Sequence, residues 1–96
     1  MLAIDDGPDG TLLVTGRLDA AQAPAAQARL DRVQGSVTLD LAGLEYISSA
    51  GLGVLLKTQK RLLSDGGGIR LTGLRPGLRD IFVYSGFDQI FRIDPN

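Results

Sequence analysis

Between Val37 and Ser64 the apolar period changes once, and that change constrains the fold more than any other feature of the chain. Val37, Leu39 and Leu41 alternate with Thr38 and Asp40, as in a strand with one covered face. From about residue 50 to 64 the spacing becomes helical. Leu52, Leu55, Leu56, Gln59, Leu62 and Leu63 form one stripe, and Lys57, Lys60 and Arg61 face water. Asp65-Gly66-Gly67-Gly68 stops this helix, and residues 69–72 read as a strand again. Strand, helix, strand in this order is the unit from which parallel sheets are built.

The flanks extend the pattern. Residues 11–18 read as a strand behind the turn Asp6-Gly7-Pro8-Asp9-Gly10, with residues 2–4 as the other arm of a hairpin. Residues 20–33 carry Ala23, Ala26, Leu30 and Val33 at helical spacing; Asp19 is the expected N-cap, and Pro24 favours a late start. A third helix is expected over residues 76–84, with Leu78, Ile81, Phe82 and Ser85 on one side, and a closing strand over residues 90–93. The expected fold is α/β: residues 1–96 as one sandwich, the first ten an N-terminal strand and turn, with a mixed, mainly parallel sheet of four to five strands and three to four helices.

Composition removes much chemistry. The 96 residues include no His and no Cys, which excludes a His-based triad, a thiolate nucleophile, a zinc finger and any disulfide. Ten Lys+Arg against eleven Asp+Glu leave a net charge of −1, without the basic face that nucleic acid or an anionic membrane requires. The N-terminal MLAIDDGPDG lacks the basic start and long apolar run of a secretory signal, so the expectation is a cytoplasmic domain without metal or cofactor. Gly66, Gly67 and Gly68 follow a helix and lack the Lys-Ser/Thr of a phosphate loop, so they read as a helix stop. Asp5, Asp6 and Asp9 read as a solvated turn, and Lys57, Lys60, Arg61, Arg75 and Arg79 as solvated helix faces. Asp19 and Asp40 stand at strand ends, but nothing else in the sequence suggests a cleft for hydrolysis.

The positive signal lies in Leu39–Gly53, where a strand leads through a short loop to Ser48 and Ser49 at a helix start. Either serine can cap a free N–H of the first turn. A phosphate there would be favoured by the helix dipole and would add about −1.5 to −2 charge. Gly51 and Gly53 cost helix stability and suit close approach of another backbone, or tight packing within the domain. Val54 lies off the main stripe and is expected to be partly exposed as an apolar contact.

The stretch Glu45-Tyr46-Ile47-Ser48-Ser49-Ala50-Gly51-Leu52-Gly53-Val54-Leu55-Leu56 resembles the signature of STAS domains, in particular bacterial anti-sigma factor antagonists. Gly16-Arg17-Leu18-Asp19, Gly73-Leu74-Arg75-Pro76 and Ser85-Gly86-Phe87-Asp88-Gln89-Ile90-Phe91 resemble further motifs of that family, so the likeness runs from about Leu12 to Ile93. The resemblance implies a partner switch. An unphosphorylated antagonist binds an anti-sigma factor that is also a GHKL-type serine kinase, phosphorylation at the start of the second helix ends the complex, and a PP2C-type phosphatase resets it. The family motif Asp-Ser-Ser/Thr-Gly-Leu maps the acceptor onto Ser49, with Ser48 as the alternative. Asp19, Ser48, Ser49, Ala50, Gly51, Gly53 and Val54 are then the partner-binding candidates. Here Ser48 replaces the motif Asp, Ala50 replaces the second hydroxyl, and Arg17 stands where the family often carries an acid. Two other STAS-like roles fit the resemblance: a structural subunit of a lipid-transport or other complex, and a small-ligand module.

Overall fold

The computed structural model describes residues 1–95. The hairpin opens the chain: β1 (Leu2–Asp6) runs antiparallel to β2 (Thr11–Leu18), joined by a short 3-10 turn at Pro8–Gly10. There follow α1 (Ala23–Leu30), β3 (Ser36–Asp40), β4 (Leu44–Ile47), α2 (Ser49–Ser64), β5 (Gly68–Thr72), α3 (Pro76–Tyr84), a 3-10 turn at Phe87–Gln89, and β6 (Arg92–Ile93). The sheet has six strands in the order β1-β2-β3-β5-β6, and β4 also pairs with β2. Apart from the first hairpin the pairings are parallel, so the mixed, mainly parallel sheet and three helices match expectation.

Strand β4 adds to the expected order. It lies along the second half of β2, with Leu18 opposite Ile47, while β3 lies along the first half, with Leu12 opposite Leu39. Together β3 and β4 line one edge of β2, interrupted by Ala42-Gly43. Asp40 steadies the break: its Oδ1 accepts the Ala42 N–H at 3.0 Å.

Strand alternation separates the two faces of the sheet. Leu12, Val14, Leu18, Val37, Leu39, Leu44, Ile47, Ile69 and Leu71 point into the core beneath the helices, whereas Thr15, Arg17 and Arg70 are exposed on the other face. Beneath α3, Phe82 stands edge-on to Phe87 and Phe91, with ring centroids 6.0 and 6.4 Å away.

Several sequence expectations shift. Helix α1 begins at Ala23 rather than residue 20, with Pro24 in its first turn. Asp19 therefore caps the preceding turn, its Oδ1 accepting the Gln22 N–H at 3.0 Å. Val54 is buried at 7 %, not partly exposed, because α1 packs beside α2 and widens its covered face. That face is Gly51, Val54, Leu55, Thr58, Gln59 and Leu62, while Leu63 is 53 % exposed. Arg61 turns inward, one amino group donating to the Leu30 and Val33 carbonyls at 3.0 and 2.8 Å, where α1 ends. Gln59 is buried with both ends of its amide engaged: its Oε1 accepts the Ile69 N–H and its Nε2 donates to the Ile90 carbonyl, each at 2.7 Å. On α3 only Leu78 and Phe82 are buried; Ile81 and Ser85 are exposed, and the closing strand is two residues long.

Candidate functional site

The start of α2 is built around one carbonyl. Leu18, the last residue of β2, accepts the Ser48 backbone N–H at 3.0 Å and lies 3.5 Å from the Ser48 hydroxyl. Ser48 is extended (φ −91°, ψ 173°) and is the N-cap, its Oγ accepting the Gly51 N–H at 3.2 Å. Gly51 is buried against the same strand end. A Cβ there would come within 2.6 Å of the Leu18 carbonyl oxygen and 2.8 Å of Ile47 Cγ1. Glycine is therefore required at 51 by packing within the domain, since only its bare Cα lets α2 reach β2 so closely.

The geometry separates the two serines. Ser48 is half-buried and its hydroxyl is engaged in the cap. Ser49 is the first helical residue and exposed, and its hydroxyl has no hydrogen-bond partner among the described residues. No acidic residue lies in the first turn of α2, so the positive end of the helix dipole has no local carboxylate.

The other candidates divide. Ala50 and Gly53 are exposed beside Ser49, and nothing lies within 4 Å of where a Cβ on Gly53 would stand. Asp19 is half-buried immediately after Leu18, which ties it to the Ser48 cap through that carbonyl. Gly51 and Val54 face inward and pack within the domain. On the sheet face away from the helices stands a pair that sequence reading did not assemble. Arg17 and Tyr46 are opposite in the β2–β4 register, and the Arg17 guanidinium carbon lies 4.3 Å from the Tyr46 ring centroid. Both are exposed. Recognition of β4 would have revealed the pairing.

A cleft of about 620 Å³ lies at the other end of α2, between Gln59, Gly67, Arg70 and Arg92. No cluster of acidic side chains able to hold a metal ion occurs among the described residues, and no helix among them is long and apolar enough to cross a membrane.

The family model described as "Mlab, STAS domain" matches residues 4–93. The chain belongs to the STAS domain family. A Bordetella bronchiseptica protein named as a candidate anti-sigma factor antagonist, BtrV, is 39% identical over 94 residues, covering 92% of this chain and 81% of its own. A solved anti-sigma factor antagonist from Mycobacterium paratuberculosis is 25% identical with a TM-score of 0.80, over 100% of this chain and 86% of its own. The Bacillus cell fate determinant SpoIIAA in its phosphorylated form shares this STAS fold at 18% identity and a TM-score of 0.71, over 100% of this chain and 93% of its own. The element order expected from the sequence is thus the STAS order, with β4 as the added strand between β3 and α2.

Proposed function

We propose that this STAS domain is an anti-sigma factor antagonist working as a cytoplasmic partner switch. Unphosphorylated, it binds an anti-sigma factor of GHKL-type serine kinase fold and so frees the sigma factor. The kinase transfers the γ-phosphoryl group of ATP to Ser49 Oγ, the hydroxyl proton is released, ADP leaves, and the complex comes apart. A PP2C-type phosphatase hydrolyses the phosphoserine and restores binding. The domain is the substrate in this cycle, and the catalytic groups belong to its partners.

The carrying observation is the exposed, unengaged Ser49 hydroxyl beside the engaged Ser48 cap. A phosphate on Ser49 adds about −1.5 to −2 charge, a large change on a domain whose net charge is −1. In an interface that desolvates Ser49, such charge costs binding by repulsion and lost complementarity. The 39% identity to a candidate anti-sigma factor antagonist supports the same reading. The test is incubation with the kinase-type anti-sigma factor of the same genome and ATP, followed by mass-spectrometric mapping. Phosphate on Ser49, and its loss in Ser49→Ala, is expected; a chain that takes no phosphate on Ser49 or Ser48 refutes the proposal.

A second reading is a structural subunit of a lipid-transport or other complex, one of the roles that fit the STAS resemblance. Co-purification with ATPase and permease subunits, with no phosphate on the serines, would select it.

A further inference from the structure

We propose that the cleft at the end of α2 away from Ser49 binds an organic monoanion, a small carboxylic acid with an apolar chain, independently of the partner switch. At about 620 Å³ the cleft falls within the size range of small-molecule sites. A buried side chain builds it. In the β5–β6 register Arg70 lies opposite Arg92 and Leu71 opposite Ile93, and the Leu71 carbonyl accepts the Asp94 N–H. One step earlier, regular parallel pairing would join the Ile69 N–H to the Ile90 carbonyl. Gln59 stands between them instead, accepting from the first and donating to the second. It is only 3 % exposed, so its amide acts as a peptide group inserted into the ladder. The segment at Ile90 is thereby held off β5, and the opening is part of the fold rather than a gap in packing.

The lining fixes the class of ligand. On the sheet side, Thr38, Arg70 and Arg92 follow one another in register across β3, β5 and β6, with Ser36 two residues before Thr38. Arg70 is already paired with Asp94, its Nε 2.9 Å from each carboxylate oxygen. Arg92 acts on Asp94 only through its charge. Its guanidinium has no hydrogen bond or ion pair among the described residues, so one cation is left for a ligand. Asp9, from the 3-10 turn, also lines the cleft and opposes any highly charged anion such as a polyphosphate. A single carboxylate suits the planar fork of Arg92 and the hydroxyls beside it. On the helix side stand Leu63 and Ile90, 53 % and 38 % exposed, large apolar side chains that the core does not use. Gly66, Gly67 and Gly68 line the cleft without side chains to fill it. An acid with an apolar chain satisfies both sides at once, its head pairing with Arg92 and its chain covering Leu63 and Ile90.

The probe is octanoate, titrated into the isotope-labelled full chain and followed by NMR shifts, with acetate, octanol and phosphatidylglycerol vesicles as comparisons. Octanoate is expected to bind with a Kd of about 1 mM and to shift the Ile69 N–H, the Gln59 amide and the Arg92 Nε–H, leaving Ser49 unmoved. Acetate has the head alone and octanol the chain alone, and each should bind about tenfold more weakly or worse. Arg92→Gln should weaken octanoate about tenfold and Leu63→Ser about threefold. Arg32→Gln, an exposed cation that does not line the cleft, should change nothing. All three substitutions fall on side chains that are largely exposed, and circular dichroism checks each fold. No shift at the cleft, equal binding of acetate or octanol, undiminished binding by Arg92→Gln, or an equal loss in Arg32→Gln overturns the proposal. Attachment of the protein to the vesicles also overturns it, since the ligand would then be a lipid surface rather than a dissolved acid. None of these outcomes depends on Ser49, so the partner switch stands or falls separately.

Discussion

Gly53→Ala separates what the fold needs from what a partner needs. Gly53 is the fifth residue of the helix Ser49–Ser64, where glycine is about 1 kcal/mol less favourable than alanine. Nothing within the domain explains that cost: the position is exposed, and a Cβ meets no atom within 4 Å. The substitution should therefore stabilise the isolated domain by about 0.5–1 kcal/mol. For a domain of this size that raises Tm by about 2–8 °C, read by thermal denaturation. If a partner backbone lies directly against α2 at this point, the added methyl overpacks the interface. At about 1–3 kcal/mol the cost is a fall in affinity of about 5- to 150-fold. Gly51→Ala is the counter-experiment, since its methyl meets the Leu18 carbonyl oxygen at 2.6 Å and should lower Tm. A Gly53→Ala protein no more stable than wild type would refute the helix-propensity reasoning. A stabilised variant that still binds the anti-sigma factor with wild-type affinity would refute close approach at Gly53.

Three further outcomes follow from the site and its supports. Ser48→Ala removes the N-cap on Gly51 N–H and should cost about 1 kcal/mol in urea unfolding, whereas Ser49→Ala should change stability by less than about 0.5 kcal/mol. Phosphorylated Ser49 should raise the stability of the isolated domain by about 0.3–1 kcal/mol at low salt, because α2 has no acidic residue in its first turn; a lower Tm would contradict this. The hydrogen bond from Arg70 to Asp94, both distances 2.9 Å from Nε, holds the Asp94 carboxyl below the usual carboxylate range. Its contribution is complete above the unfolded value, about 3.9, and is lost as pH falls through the lower folded value. An NMR titration of the Arg70 Nε–H resonance should therefore show its transition below that value, and Asp94→Asn should abolish it.

What the sequence revealed, and what it concealed, divides by the distance over which each signal acts. The strand Val37–Leu41, the Leu stripe of α2 and the triple-glycine stop are local periodicities, and each stands close to its expected place. Strand β4 has no such signature. Only Leu44 and Ile47 of its four residues are buried, with Glu45 and Tyr46 between them, and its existence depends on pairing with β2 far away in the chain. Val54 reads as a surface residue because a helix viewed alone has one covered stripe, and the contact with α1 adds a second. Gln27 of α1 reaches Thr58 of α2 at 3.2 Å, marking that join. Arg61 looks solvated by spacing, yet the unpaired carbonyls at the end of α1 draw it in. The serine motif was legible as a motif. Which serine caps and which is left free was not, because a carbonyl 30 residues earlier decides it.

That carbonyl also explains how charge added at Ser49 would act. Leu18 fixes Ser48 by its backbone N–H, Ser48 fixes Gly51 through its hydroxyl, and Gly51 lies too close to β2 for even a methyl group to fit. The first turn is thus over-determined at the residues around Ser49 and undetermined at Ser49 itself. A new negative group there meets free helix N–H groups and an unopposed dipole, so the domain has no electrostatic reason to rearrange. Its effect falls on whatever covers the surface, where the same charge would be desolvated. A switch built this way changes affinity while leaving the fold alone. A Tm no lower in the phosphorylated state, together with a large loss of partner affinity, would be its measurable signature.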